Sequence, residues 1–502
     1  MKKSYLTTTA IGAALILTGS TAMADISAAD VWNDWKRAFV VYGQDGVSVG
    51  SETMSGDTLT ISDVVLSIQD DFSKTSVDMG DIVLKELGDG TVRATMADTM
   101  VMTMDSEDGD VSAKVVVTQD GADILVSGDP DALTYDMSVA KYTVVVEELK
   151  GDGEELDGDI QMTMNNVAGT YLSETSDVHS IKYDLTASSL DMLFDLVIPD
   201  EPGDSFTFSG KIQDLATKVD MTLPVDLVIE NPMDLYANGM AASGTYTFKN
   251  GAYIFDAISE GEQMAGSVST GAGQIDFGID HQSFNYNSLT DKVAMTIQGA
   301  EIPFPVEVNM AQYGTGLEMP FAKTEEPTDF GLRLNMTDLT VSDMIWMMID
   351  PAAQLPRDPA TLILDLSGKV KLMFDMMDPE QAEMLDSKGA QPGELHAMTL
   401  NAFKLALAGA EVTGSGAFEF DNSDLTTFDG MPAPSGDATV NIKGANGLID
   451  KLVGMGLLPE DQAMMGRMMM GMFARTTGDD ELTTKIEIND QGHVIANGQR
   501  IK

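Results

Sequence analysis

Cysteine is absent from the 502-residue sequence, which removes disulfide frameworks, thiolate metal centres and a lipidated amino-terminal cysteine at once. Basic residues are scarce: 29 Lys and Arg stand against 80 Asp and Glu, for a formal net charge of −51. A surface of that sign repels polyanions, so nucleic acid and anionic headgroups are poor partners, and the acidity serves solubility and salt tolerance. Histidine is rare too. His179, His281, His396 and His493 show no His-x-His or HExxH spacing, which gives neither a zinc site nor a relay, and surface positions account for them. Uninterrupted apolar runs are also lacking near the carboxy terminus, where Asp450, Lys451, Glu460, Asp461 and Arg467 break every span approaching the roughly 20 residues of a membrane helix.

What is present begins with a secretory pattern. Lys2 and Lys3 precede the apolar run from Ala10 to Leu17, and small residues follow as far as Ala22-Met23-Ala24. The expectation is a signal peptide over residues 1–24 and a mature start at Asp25; losing Lys2 and Lys3 would take the net charge from −51 to −53. The length suggests two or three units at about 100 to 200 residues each. Boundary candidates are Ala322 to Asp329, Pro351 to Pro359 and Asp421 to Gly436. The first divides a β-rich region at 25–321 from a second β-rich region at 322–502 that ends in a helical hairpin.

Periodicity gives a mainly β class: long antiparallel meander sheets, grooved or duplicated, with a few short amphipathic helices at the ends. Ser27 and Asp30 form a capping box before Val31, Trp32, Trp35, Phe39 and Val40, predicting a helix from Ala28 to Tyr42. Alternation then takes over in Leu59 and Ile61, Val64, Leu66 and Ile68, Met100, Met102 and Met104, Val115 and Val117, Ile124 and Val126, and Met137 and Val139. Turns are expected at Asp89-Gly90, Asp108-Gly109 and Asp120-Gly121, a loop from Gly151 to Gly158, and a hairpin at Asn250-Gly251. Further strands are read at 274–279, 293–297, 306–310, 332–336, 361–366, 370–374, 399–407, 417–420 and 482–488. Short helices are predicted from Leu190 to Val197, from Ser342 to Ile349 and as a hairpin from Gly447 to Arg475 that plugs one end of a sheet. In that hairpin Pro459 takes a first helical position, and Leu448, Ile449, Leu452 and Val453, then Met464, Met465, Met468, Met469, Met472 and Phe473, form the buried stripes. An internal repeat links Asp184 to Ser188, with its following helix and Pro199, to Asp338 to Ser342, α-helix and Pro351. It also links Ser209-Gly210-Lys211 to Ser367-Gly368-Lys369.

Chemistry is thinly signalled. Gly46-Val47-Ser48-Val49-Gly50 spells a nucleophile elbow, but a helix precedes and strands follow, the reverse of the order that motif needs. Ser138 and Lys141 spell a serine–lysine pair inside a strand, where residues three apart point to opposite faces. The acidic loops from Asp105 to Asp110 and Asp152 to Asp159 lack calcium-loop spacing and offer nonspecific cation binding at most. Met100, Met102 and Met104 share one strand face; thioethers suit copper(I), yet methionine also packs in place of leucine, and packing is the expected role. No catalytic, cofactor-binding or metal-binding residue is assigned.

The run from Ile345 to Ser367, with Ile349-Asp350-Pro351 and Leu355-Pro356-Arg357-Asp358-Pro359-Ala360, resembles a hallmark of an uncharacterised family of exported bacterial proteins, domain of unknown function 2125 (DUF2125). Gly456-Leu457-Leu458-Pro459, the Met-rich helix and the strands through Asn497-Gly498 resemble that family's carboxy-terminal end. The resemblance implies the periplasm and a sheet-rich fold, and carries over no catalytic residues. In architecture the chain is distantly similar to the AsmA-like envelope proteins, whose grooved sheets are associated with lipid handling. The expectation is a noncatalytic periplasmic protein holding an apolar ligand, such as a lipid, along a sheet face. The alternatives are a structural or protein-binding module of the envelope, and a serine hydrolase through Ser48. Partners would be a lipid or an envelope protein.

Overall fold

The computed structural model describes residues 25–39, 46–69, 73–106, 110–151, 154–197, 203–225, 238–300, 302–376, 378, 381 and 393–502. The predicted signal peptide, Val40, Tyr42 and the Asp108-Gly109 turn lie outside them. Strand accounts for 68% of the described residues and helix for 10%, as the alternation requires.

Helix α1 (Ala28–Ala38) starts from the expected box: the Ser27 amide donates to the Asp30 carboxylate, and the Asp30 amide donates to Ser27 Oγ. The sheet begins with β1 (Val47–Ser48) and β2 (Ser51–Ser55), both on β3 (Thr58–Gln69), which pairs with β4 (Ser73–Glu86). Next, β5 (Val92–Thr95) and β6 (Thr99–Ser106) lie end to end along β4. In the same way β7 (Ser112–Asp120) and β8 (Asp123–Asp129) lie end to end along β9 (Ala132–Gly151). The short β10 (Glu154–Glu155) leads into three long strands, β11 (Asp157–Thr175), β12 (Val178–Val197) and β13 (Ser205–Pro224). The end-to-end arrangement recurs: β14 (Ala241–Phe248) and β15 (Asn250–Ser259) share β13, while β16 (Glu262–Thr270) and β17 (Gly273–Ile279) share β18 (Ser283–Gly299). Then β19 (Ile302–Pro320) pairs with β20 (Thr328–Val341).

Helix α2 (Asp343–Ile349) interrupts the meander before β21 (Ala360–Leu372), β22 (Gly393–Leu407), β23 (Ala410–Asp421) and β24 (Ala433–Lys443). Helices α3 (Ala445–Gly454) and α4 (Glu460–Phe473) follow. The short β25 (Arg475–Gly478), β26 (Glu481–Ile488), β27 (Val494–Ala496) and β28 (Gln499–Arg500) close the sheet. Every pairing among the described residues is antiparallel, and when the end-to-end pairs are read as single interrupted strands, order in space follows order in the chain as far as β24; there β26 lies next to β24, with β25 and β27 end to end on its far side.

A seam crosses the long strands near their middles. Asp63, Gly80, Gly121, Asn166, Asp214, Lys292 and Asp338 take left-handed backbone there, with φ between +50° and +67°, and the ladder skips residues beside them, as between Ile61 and Val64 or Met336 and Leu339. Asp and Asn tolerate this conformation better than most side chains because a short polar group bonds locally; the Asn166 amide donates to Ser188 Oγ across the seam. The seam divides the sheet into limb A, holding the Leu59 end of β3 and all strands from β21 on, and limb B, holding the Leu66 end. A bulge shifts the side-chain alternation by one residue. On β11, for example, the apolar positions are Ile160, Met162 and Met164 on limb B, but Tyr171 on limb A. Without the shift one limb would turn its apolar side chains to the opposite face.

Several sequence expectations need correction. Residues 190–197 are strand, the end of β12 paired on both sides; Leu190, Leu193, Phe194 and Val197 mimic helical spacing only because Leu193 and Val197 occupy the outer face. The first arm of the proposed repeat therefore lacks its helix. Asn250-Gly251 is no hairpin: β14 and β15 both run along β13, and Lys249 crosses the seam with its Nζ 3.0 Å from Asp214 Oδ2. Asp120-Gly121 is likewise a seam crossing, whereas Asp89-Gly90 does reverse the chain between β4 and β5. Residues 361–374 hold one strand, and Pro459 is the residue preceding α4. The Met stripe of α4 faces outward: Met464, Met465, Met468, Met469 and Met472 are 53–71% exposed, and Ala463 is the helix's buried residue. The inner side instead carries Ala463 and half-buried Met470, with Arg467 tied to Asp450 of α3.

The principal core lies under α1. Val31 and Trp32 pack on Ile61, Val64, Ile82, Leu84, Val92, Val126, Leu133 and Tyr135. After Leu223, the buried apolar residues among those described are Phe321, Ala322, Leu355, Leu372, Ala408, Ala463 and Ala496. Among the described residues the rest of the sheet is not sandwiched into a second core.

Candidate functional site: an uncovered apolar sheet face

Residues directly opposite each other on neighbouring strands share a face, so the registers trace rows across the sheet. On limb A one row runs Tyr135, Tyr171, Tyr183, Val219, Gly244, Phe277, Tyr286, Leu317, Leu332, Leu366, Leu400, Gly416, Ala438, Ile486, Ala496. These fifteen strands carry no charged residue in that row and would span roughly 65 Å at ~4.8 Å per strand. Limb B has its own row: Val47, Leu66, Val77, Met102, Val115, Val146, Ile160, Phe194, Phe208, Phe255, Gly266, Ile297, Val306. The one-residue shift at the seam puts both rows on the same side. Aromatic rings reinforce it, with Tyr135, Tyr171 and Tyr183 in succession at 5.0 Å and Phe194, Phe208 and Tyr253 at 5.6 and 6.1 Å.

The opposite face is polar. On limb B it presents Asn165, Ser189, Asp191 and Lys211, joined by Asn165 Nδ2 to Ser189 Oγ and Asp191, and by Lys211 Nζ to Asp191 at 2.7 Å. The sheet is therefore amphipathic across its thickness. Among the described residues helices cover little of the apolar side: α1 packs on β3 and β4, α2 lies against β19 and α3 against β23. Leu332 remains 44% exposed in the middle of its row, and Tyr246, Tyr313, Met319, Leu405, Met162, Phe206 and Met264 are exposed on the same face. Met100, Met102 and Met104 belong to it as well, each opposite Val117, Val115 and Ala113.

At the end under α1 the face carries a buried polar cluster. Asp34, 1% exposed, accepts from Tyr135 OH at 2.6 Å and from Ser173 Oγ at 2.7 Å, and Arg37 Nη2 stands 3.3 Å away. Ser173 Oγ also lies 2.7 Å from His179 Nε2. The serine has one proton and gives it to the carboxylate, so His179 must be the donor to Ser173, with the proton on Nε2. Burial lowers the His179 pKa, Asp34 pulls the other way and Arg37 adds to the lowering. Burial, then the Asp34 charge, raises the Tyr135 phenol, as it does the Tyr171 phenol. A serine 1% exposed and bonded on both sides cannot reach a substrate; the cluster fastens α1 to β9, β11 and β12.

Sequence reasoning missed this cluster, because Asp34 is 101 residues from Tyr135 and 139 from Ser173. A signal was present: Asp34 interrupts the apolar stripe of α1 between Val31 and Trp35, and Ser173 and His179 stand where alternation calls for apolar residues. His179 is thus buried, contrary to the expectation of a surface site. His281 is exposed, and His396 in β22 and His493 just before β27 are half-buried. Ser48 sits on edge strand β1 opposite Val65, with no helix after it. Ser138 and Lys141, expected on opposite faces, share the polar face because the seam passes between them, but both are exposed, without the burial that would activate such a pair.

The stretch from Ile345 to Ala360 builds one local structure. Fully buried Asp350 accepts the amides of Gln354 and Leu355 at 2.9 and 2.7 Å, and those bonds hold its carboxyl below the usual carboxylate range. Arg357 pairs with Asp343 at 2.9 Å and lies over the Trp346 ring. At the chain's end Asn497 and Gly498 make the positive-φ turn between β27 and β28. Asn497 Oδ1 accepts the Lys485 amide, and its Nδ2 donates to the Phe473 carbonyl.

Residues 247–497 match the model of a family described as an uncharacterized protein conserved in bacteria, DUF2125. The chain belongs to that family. The match takes in α2, the Asp350 loop, both carboxy-terminal helices and the limb A strands from β17 through β27, so the residues that shape the Asp350 loop and the Asn497 turn are within it. No curated protein and no solved structure matches the chain.

Proposed function

We propose that this protein is a noncatalytic envelope protein of the periplasm that holds an apolar ligand, an acyl chain of a lipid, along the uncovered apolar face. The observation that carries the reading is the unbroken apolar row on limb A, exposed at Leu332 and Leu317 and roughly twice as long as the ~30 Å hydrocarbon core of a bilayer. Contiguous exposed apolar surface of this extent marks a site of interaction. Half-burial by neighbouring side chains lets the face stay open in water, and an acyl chain laid across the strands would remove that area from solvent at ~25 cal/mol per Å². Binding of this kind needs burial and no reactive group. Ser48 on an edge strand and Ser173 sealed behind Asp34 offer no nucleophile to such a ligand.

The signal pattern at residues 1–24 supports export, and the acidic exterior would limit contact with anionic membranes. The test is native mass spectrometry of protein taken gently from the periplasm, with extraction of whatever is bound. Near-stoichiometric phospholipid or fatty acid is expected. A bare protein would refute the carrier and leave the apolar face to a protein partner.

A further inference from the structure

We infer that the α3–α4 hairpin is a docking element for a lipid bilayer surface of low charge. Its outward side is apolar: Leu457 in the joint is 55% exposed, and Met464, Met465, Met468, Met469 and Met472 are 53–71% exposed. The inward side holds buried Ala463 and half-buried Met470, with Arg467 pinned to Asp450. A helix that buries one alanine and turns five methionines outward is built for contact with something outside the chain. Methionine there is unbranched and adaptable, suited to a disordered apolar medium.

Charge favours a bilayer as the occupant. In a chain of net charge −51, α4 carries Glu460 and Asp461 in its first turn and Arg467 alone thereafter, so this is a place where the acidic surface is thin enough to approach lipid. No helix among the described residues is long and apolar enough to cross a membrane; α4, 14 residues or ~21 Å at 1.5 Å per residue, would lie in the interface plane. Position ties the hairpin to the apolar face. The Phe473 carbonyl at the end of α4 accepts from Thr484 Oγ1 at 2.6 Å, and Thr484 stands on that face in register with Val440, Gly414 and Phe403. A docked hairpin would set the last strands of limb A at the membrane, where an acyl chain could pass onto the sheet. This deepens the carrier reading by naming where its ligand is collected.

The test is flotation of the mature protein with phosphatidylcholine vesicles, and with vesicles in which phosphatidylglycerol replaces part of the phosphatidylcholine. Flotation with phosphatidylcholine is expected to be insensitive to salt and to fall as anionic lipid is added. M464E/M468E should lower bound protein at least tenfold with an unchanged circular dichroism spectrum, since both positions are exposed, while M464L/M468L should float as the parent does. Failure of the parent to float, or equal flotation of the glutamate variant, would overturn the proposal. So would loss of a protein partner, rather than of vesicles, in that variant. Flotation without copurified lipid would refute the carrier alone, and copurified lipid without flotation would refute the docking hairpin alone.

Discussion

Asp34 shows how much a single side chain contributes when it is buried with its partners. It accepts from Tyr135, Ser173 and Arg37, so D34A would strand buried donors and should cost about 3 kcal/mol or more in urea unfolding. S173A removes one link and should cost about 1–3 kcal/mol. His179 makes the same cluster sensitive to acid. Its folded pKa is lowered, so the unfolded chain takes up the proton more readily, and the stabilisation is complete above about pH 6.5 and lost as pH falls toward the folded value. The urea midpoint of the parent should drop between pH 7.5 and 5.5 more than that of H179Q, whose amide keeps a donor without titrating. Equal drops would show that His179 is not the group responsible. Asp350 works with the opposite charge type. Its depressed carboxyl stabilises the 350–355 turn above the ordinary carboxylate pKa, and that support is lost as pH falls through the lower value.

Strands and the seam belong to the next scale. At Asn166, φ is +50°; N166G should be tolerated, N166V should cost ~1–2 kcal/mol for the left-handed backbone, and deletion of Asn166 should abolish cooperative unfolding, because it returns β11 to strict alternation and turns one limb's apolar side chains outward. A cooperative, native-like melt of the deletion variant would show that the seam does not set the face. The strand class and most strand positions were legible in the alternation. So was the seam, in principle: Leu59 and Ile61 are odd, Val64 and Leu66 even, and the change falls at Asp63. It is invisible to a reading that scores each strand by itself. Asn250-Gly251 misled because its turn chemistry is local, whereas β13 is a 20-residue template already in place that both flanking segments follow. The helix expected at 190–197 failed because long neighbours on both sides outweigh a four-residue coincidence of spacing. The Met stripe of α4 was legible as a stripe, but periodicity does not say which side of a helix faces the protein.

For the whole molecule, the consequence of a single sheet with one apolar side is that stability and the proposed function draw on different regions. Packing is concentrated under α1, while the strands from β13 onward hold their shape mainly through ladders to both neighbours and through cross-strand pairs such as Lys211–Asp191 and Lys369–Asp329, each 2.7 Å. These two lysines are the part of the expected repeat that the structure retains in kind, since each Ser-Gly-Lys lies in a strand and reaches back to the strand before it. The sequence motifs of the family region build turns and caps, which explains why no chemistry could be read from them. The central claim, that one face and not the other carries the ligand, is tested most directly by photocrosslinking in the periplasm from single introduced p-benzoylphenylalanine residues. Positions 317, 332 and 162 lie on the apolar face; positions 193, 254 and 289 replace leucine or isoleucine that is equally exposed on the polar face, with Ile254 at 61%. Lipid adducts from the first three and none from the last three are predicted, and adducts equal on the two faces, or absent from both, would contradict the account.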